Sequence, residues 1–290
     1  MPGTRSGTPN ARTPYRREPA RVACPHEPRG RAPLPGPARL LRRTSRPLRP
    51  AVRRLASEHR PPGPHPGRPA HRRFGPGPHR VLDRACGIGT QALGLAALGH
   101  RVTGTDLSPG SVARAAREAD ARGLVLPVAA ADMRALPFAD GSFDAVVCAD
   151  NALPHLLTAT EVRAALADML RVLRPGGLLL LSTRPYGQLR GARPRSEAPH
   201  VHTGPDGRTI TFQLWHWHPD GTRYDLEFFQ LLPTGDTWTT RVARTTYWAV
   251  AEEETAAFAA AVGFTETAWH TPADTGFHQP VLTARRRSTG

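Results

Sequence analysis

Two glycines spaced two residues apart, Gly87 and Gly89, stand between two acids, Asp83 and Asp106, an arrangement that can hold a nucleotide. A short apolar run, Val81-Leu82, leads to Asp83, and the small pair Ala85-Cys86 opens the glycine turn. A helix-like apolar segment follows over 92–98, and a second short run over 101–104 leads to Asp106. Read physically this is strand, tight turn, helix, strand, acid, the first half of a nucleotide-binding βαβ unit. Glycine lets a backbone approach its ligand closely because no Cβ intervenes. A carboxylate at the tip of the second strand can accept two hydrogen bonds from a ribose diol. The run Gly87-Ile88-Gly89-Thr90-Gln91-Ala92 also fits the G-x-G-x-x-A of dinucleotide sites, so an NAD-dependent oxidoreductase is open on spacing alone.

The elements that must position these residues alternate along the chain. Strands are expected over 80–83, 126–130, 143–148 and 178–182, besides the one leading to Asp106. Helices are expected over 110–121, with Ser108 as N-cap and Pro109 in the first turn, and over 161–173. Arg174-Pro175-Gly176-Gly177 is expected to end the latter helix. Such alternation predicts an α/β fold, a Rossmann-like doubly wound sheet covered on both faces. The character then changes. Runs rich in Thr and aromatic residues over 209–217, 222–232 and 238–248 are separated by Pro-Asp-Gly and Pro-Thr-Gly-Asp turns, which predicts an antiparallel β extension within 200–250. A helix over 252–262 and a strand over 281–284 close the chain.

The formal charge of +15 would suggest a polyanionic partner, but its distribution argues against one. Residues 1–80 hold 19 of the 39 basic residues with only three acids, leaving 20 basic and 21 acidic residues in the remainder. Residues 1–74 form an Arg/Pro-rich leader with almost no apolar periodicity, expected to be disordered. Its composition changes abruptly just before the glycine turn, which fits a leader translated out of frame. Codon degeneracy permits this: the run from Leu41 to Arg60 can be encoded so that reading one base later gives YDELADHYDRLFADWRASIA, a charge-balanced stretch bearing aromatics. The expected domain is then 75–290. A basic leader touching phosphates, as in a nucleic-acid-binding protein or an RNA methyltransferase, is the alternative reading. Three scattered cysteines suit neither a disulfide framework nor a four-ligand metal site, and Cys86 and Cys148 sit in apolar runs as small buried residues do. No apolar run approaches a membrane span and no secretory signal is evident, so the expected location is the cytoplasm.

Three blocks in order, VLDRACGIGTQALGLAALGHRVTGTDLSP, AADMRALPFADGSFDAVVCADNALPHL and MLRVLRPGGLLLLSTRPY, resemble the class I S-adenosylmethionine-dependent methyltransferases. A dehydrogenase has no need of the helix–Arg-Pro-Gly-Gly–strand block after its fourth strand. The resemblance implies S-adenosyl-L-methionine as cofactor, with Asp83, Ala85, Gly87 and Gly89 against its methionine part and Asp106, followed by Leu107, at the ribose. Asp132 would face the adenine amino group with Met133 beside the ring, and Asp150 would contact the cofactor. Arg84, a bulky cation inside the turn, must point away from the sulfonium. Within the family the nearest resemblance is to glycine/sarcosine N-methyltransferases, through Asn151 to Leu156, Arg184-x-Tyr186 and the antiparallel extension. It implies a small-molecule methyl acceptor, an amine, held by Asn151 and by Arg184, which can pair with a carboxylate in bidentate fashion. Methyl transfer asks for alignment rather than covalent chemistry from the protein, so no catalytic base is assigned. His155, His216 and His218 are read as structural, and no metal site is expected.

Overall fold

The computed structural model describes residues 78–204 and 207–288. The leader over 1–74, and its expected disorder, therefore lie outside the described residues. Five parallel strands carry the first half: β1 (Arg80–Arg84), β2 (Arg101–Asp106), β3 (Val128–Ala130), β4 (Phe143–Cys148) and β5 (Leu173–Ser182). Helices α1 (Thr90–Ala96), α2 (Pro109–Asp120) and α3 (Ala159–Val172) connect them. Ser108 caps α2 by accepting from the Ser111 amide, and Thr158 caps α3 in the same way through Glu161.

The sheet order is β10-β11-β5-β4-β1-β2-β3, with β10 (Phe264–His270) and β11 (Val281–Arg286) antiparallel at one edge. The chain direction of winding reverses between β1 and β4, so their carboxy ends open the crevice where such sheets bind ligands. One apolar core lies under α3 and helix α5 (Glu252–Ala261), built on Leu82, Val146, Leu166, Met169, Leu179 and Leu282. A second, around Val81, Leu95, Val102, Val147 and Leu180, fills the other face. The expected doubly wound α/β sheet is present.

The Arg174-Pro175-Gly176-Gly177 stretch differs from its expected role. The helix already ends at Val172, and this stretch forms an irregularity within β5, where the register with β4 jumps from Phe143↔Leu173 to Ala145↔Leu178. Gly176, at φ 73°, takes the left-handed conformation this bulge requires. Strand β10 was also not anticipated, since its partner β11 lies beyond a further short helix, α6 (Pro272–Thr275).

After β5 comes helix α4 (Tyr186–Ala192), then a separate four-stranded antiparallel sheet: β6 (His200–Gly204), β7 (Gly207–Trp217), β8 (Arg223–Thr234) and β9 (Thr237–Trp248). Its register pairs Trp217 with Tyr224 and Tyr224 with Tyr247. Side chains alternate across a strand, so Trp215, Tyr224 and Tyr247 share one face while Phe212, Phe229 and Val242 share the other. The first face packs on Tyr186, Leu189 and Ala249.

Candidate active site

The glycine turn connects β1 to α1 through three residues with positive φ: Ala85 at 60°, Gly87 at 54° and Gly89 at 87°. A Cβ at Gly87 would meet nothing within 4 Å, so the turn opens onto free space rather than packing on protein. Asp106 holds the turn in place. Its Oδ2 accepts from the Gly87 amide at 2.8 Å and its Oδ1 from the Ser108 amide at 2.9 Å. The neighbouring Leu107 is 73% exposed, an apolar side chain waiting beside the crevice.

Asp83 is fully buried, and its Oδ2 has no hydrogen-bond partner. Burial first, and then the charge of Asp150, push its carboxyl up to about 8. Asp150 accepts from Gln91 Nε2 at 3.0 Å and lies 3.7 Å from His278 Nε2, and burial raises its pKa too. Two neighbouring acids with an orphaned buried oxygen can take a cation, and the ammonium of a methionine moiety is one that the proposed cofactor carries. In the reading that sets the cofactor's ammonium beside Asp83, the proton that the free carboxyl holds below about pH 8 must leave on binding. Cofactor affinity is therefore expected to rise as pH climbs from 6 toward 8, with proton release on binding. Calorimetry at pH 7 in buffers of different ionisation enthalpy measures that release, and Asp83→Asn should abolish it. The sign for folding is opposite: an acid with a raised folded pKa costs stability above its unfolded value of 3.8, increasingly so up to about 8. The free Asp83→Asn protein should accordingly melt higher than the wild type at pH 8.

On the other side of the crevice Asp132 is clamped by Arg134, whose Nη2 lies 2.6 Å from Oδ2 and whose amide donates to Oδ1 at 2.8 Å. These bonds hold the Asp132 carboxyl below the usual range. The Met133 side chain packs on the core, and its carbonyl accepts from Arg84. Arg84 does turn away from the crevice. It is wholly buried, its Nε and Nη1 lack partners, and burial pulls the guanidinium down to about 10.

Two consecutive residues after β4, Asp150 (φ 57°) and Asn151 (φ 66°), are left-handed, which bends the chain at the sheet's carboxy edge. Ser182 secures the bend: its Oγ accepts from the Asp150 amide at 2.9 Å and donates to Gln279 Oε1 at 2.9 Å. Asn151 is buried and its Oδ1 accepts from the Arg184 amide at 3.1 Å. The Arg184 guanidinium donates to Tyr224 Oη at 2.8 Å and to Gln213 Oε1 at 2.9 Å. It lies over the Trp215 ring at 4.5 Å and the Tyr247 ring at 5.5 Å. Burial disfavours its charge, but the neighbouring Tyr224, Tyr186 and Tyr247 outweigh that and raise its pKa. Burial raises all three phenols, so at neutral pH they are hydroxyls rather than phenolates. The Tyr186 and Tyr224 hydroxyls are 3.0 Å apart.

His155 belongs to this site, which its position in the sequence did not disclose. Its ring centroid is 4.4 Å from that of Tyr247 and its Nδ1 is 3.2 Å from Thr245 Oγ1. Burial and then Arg184 lower its pKa, leaving a neutral imidazole at neutral pH. His216 and His218 point elsewhere, to Glu227 at 3.3 Å and Asp225 at 3.2 Å. Gln91, His278, Gln213, Tyr224 and Tyr247 also line the two halves of the site without having been singled out in the sequence; only their strand registers and helix positions bring them in.

The crevice at the switch point, the glycine turn and the ribose-competent acid define a Rossmann-like nucleotide site of the S-adenosylmethionine type. Residues 81–177 match the family model described as a methyltransferase domain. The glycine/sarcosine N-methyltransferase of Parasynechococcus marenigrum is 38% identical over 129 residues, covering 43% of this chain and 46% of that protein. The chain thus spans about half the length of the curated relatives it matches. Among solved structures, the sugar N-methyltransferase KedS8 from Streptoalloteichus superposes with a TM-score of 0.66 at 23% identity, over 93% of this chain and 100% of that one. CalS10, an amino pentose methyltransferase from Micromonospora echinaspora solved with S-adenosylmethionine bound, gives a TM-score of 0.57 at 25% identity, over 71% of this chain and 83% of that one. Residues 81–177 thus carry a methyltransferase domain, in a fold shared with S-adenosylmethionine-dependent methyltransferases of known structure. Among the described residues no helix is long and apolar enough to cross a membrane.

Proposed function

We propose that the protein, acting in the cytoplasm through a unit spanning 75–290, methylates an amine nitrogen of a small polar acceptor. The carrying observation is the half-buried Arg184 set among Trp215, Tyr224 and Tyr247 next to Asn151. It supplies one fixed positive charge in an aromatic box, which suits an acceptor with an amine at one end and a carboxylate or similar oxygen group at the other. The two relatives named as N-methyltransferases, of glycine/sarcosine and of a sugar, support an amine.

The bound cofactor supplies an activated methyl group carried on a sulfonium. In this reading Asp83 and Asp150 face its ammonium, and Ala85, Gly87 and Gly89 allow the close backbone approach. Asp106, followed by Leu107, accepts from the ribose hydroxyls, Met133 lies beside the adenine, and Asp132 faces its amino group. Arg184 and Asn151 orient the acceptor. An ammonium acceptor must lose its proton before its lone pair is free, and His155, which stands beside Tyr247 and is kept neutral by burial, is the base proposed for it. The buried free thiols Cys86 and Cys148 suit a reducing compartment.

Release of S-adenosylhomocysteine is the readout, measured across glycine, sarcosine, an amino sugar, a phenol and a quinol. Turnover is expected with one of the amines. Turnover confined to the phenol or quinol overturns the amine assignment while leaving the cofactor assignment intact.

A further inference from the structure

The amino ends of the parallel strands carry a hollow that the proposed methyl transfer does not use. Arg80 opens β1 and Arg101 opens β2, and the register sets them directly opposite each other. Leu82 and Thr103, the next residues on the same side of each strand, are partners too, so both arginines rise from the sheet face that carries the core under α3. Adjacent strands lie about 4.8 Å apart, which places two like charges side by side. Both arginines are exposed, and among the described residues no carboxylate pairs with either side chain. Asp144, at the same end of the sheet, is already engaged: its Oδ2 accepts from the Arg80 amide at 2.7 Å, and its Oδ1 lies 3.0 Å from Arg174 Nε.

Beside the two arginines opens a cavity of about 390 Å³, within the roughly 300–1,000 Å³ of small-molecule sites. Phe138 and Phe143, whose rings meet edge to face with centroids 5.0 Å apart, make its aromatic wall. Pro127 and Val125 continue that wall, and Val125 is 84% exposed, an apolar side chain left in water. His100 also lines the cavity. Its Nδ1 accepts from the His79 amide at 3.3 Å, and burial, then His79, lowers its pKa, so the neutral ring keeps its proton on Nε2.

We infer that this hollow binds a small aromatic carboxylic acid as its anion, with the ring against Phe138 and Phe143 and the carboxylate between Arg80 and Arg101. Each guanidinium offers a planar pair of donors, and two of them in register can hold both carboxylate oxygens. A negative charge set between the two cations also offsets their mutual repulsion. An inorganic anion would leave the aromatic wall in water, and a neutral hydrocarbon would leave the arginines unpaired. The site stands apart from the crevice. β2 runs from Arg101 to Asp106, about 16 Å at about 3.3 Å per residue, and the cofactor reading uses its far end.

The probe is cinnamate, which is ionised at neutral pH, titrated into the full-length protein by calorimetry. A Kd of about 100 µM is expected, with S-adenosylhomocysteine neither displacing the acid nor displaced by it. Cinnamyl alcohol keeps the ring without the charge and acetate keeps the charge without the ring, so each should bind at least about tenfold more weakly. Arg80→Gln and Arg101→Gln, at exposed positions, should each weaken cinnamate at least about tenfold, with an unchanged melting temperature showing that the fold is intact. Arg184→Met should leave cinnamate binding as it is. No saturable binding up to about 2 mM, or wild-type affinity in both Gln variants, overturns the inference. So does equal binding of the alcohol or of acetate, displacement by S-adenosylhomocysteine, or a loss confined to Arg184→Met, which would put the acid in the acceptor chamber instead.

Discussion

Asp106→Ala is expected to weaken S-adenosylmethionine binding by about two to three orders of magnitude, as read by calorimetry. The carboxylate has two tasks in one place. It accepts the amides of Gly87 and Ser108, which fixes the glycine turn over the end of β2. In the proposed reading its remaining lone pairs accept from the ribose diol. Hydrogen bonds to a charged group contribute about 1.5–3 kcal/mol each, so losing the ribose pair together with part of the turn's preorganisation accounts for that range. Asp106→Asn keeps one acceptor and should fall between the two. A binding constant within threefold of wild type in the Ala variant would sink the assignment of the crevice to this cofactor.

Arg184→Met is expected to lower kcat/KM for a carboxylate-bearing amine by at least about 100-fold while leaving S-adenosylhomocysteine affinity within about twofold. Methionine approximates the volume and removes the charge. Arg184→Lys should recover little, because an ammonium neither stacks on Trp215 nor reaches Tyr224 and Gln213 in the planar geometry that the guanidinium holds. The substitution also leaves the buried Tyr224 hydroxyl and Gln213 carbonyl short of a donor, at about 1–3 kcal/mol each, so a lower melting temperature accompanies it. The discriminating readout is the split between acceptors. An equal loss for amines with and without a carboxylate would make Arg184 a packing residue rather than the group that holds the acceptor.

Local spacing made the cofactor half of the site legible. Asp83, Gly87, Gly89 and Asp106 fall within one βαβ unit, where the strand–turn–helix pattern dictates their relative positions. In the proposed acceptor half the sequence pointed only to Asn151 and Arg184, which follow β4 and β5. Their partners Gln213, Tyr224 and Tyr247 arrive through the register of a sheet whose strands begin well downstream, and register is a tertiary property. Helix α4 was missed because Tyr186–Ala192 offers only Tyr186 and Leu189 as apolar contacts, too few for a helical stripe. Strand β10 was missed because its bulge between Thr265 and Ala268 interrupts the two-residue alternation that marks a strand. His278 and Gln91 reach Asp150 from opposite ends of the domain, and no motif links them.

Arg184 ties the two sheets together, since its backbone follows β5 and bonds Asn151 while its guanidinium grips β7 and β8. Selection therefore meets two nearly independent targets. On the proposed function, substitutions along β7 to β9 act on the acceptor side of Arg184 and leave the glycine turn as it is. In the proposed reading, then, the choice of acceptor is written in a few strands of the outer sheet and referred to the nucleotide sheet through a single arginine.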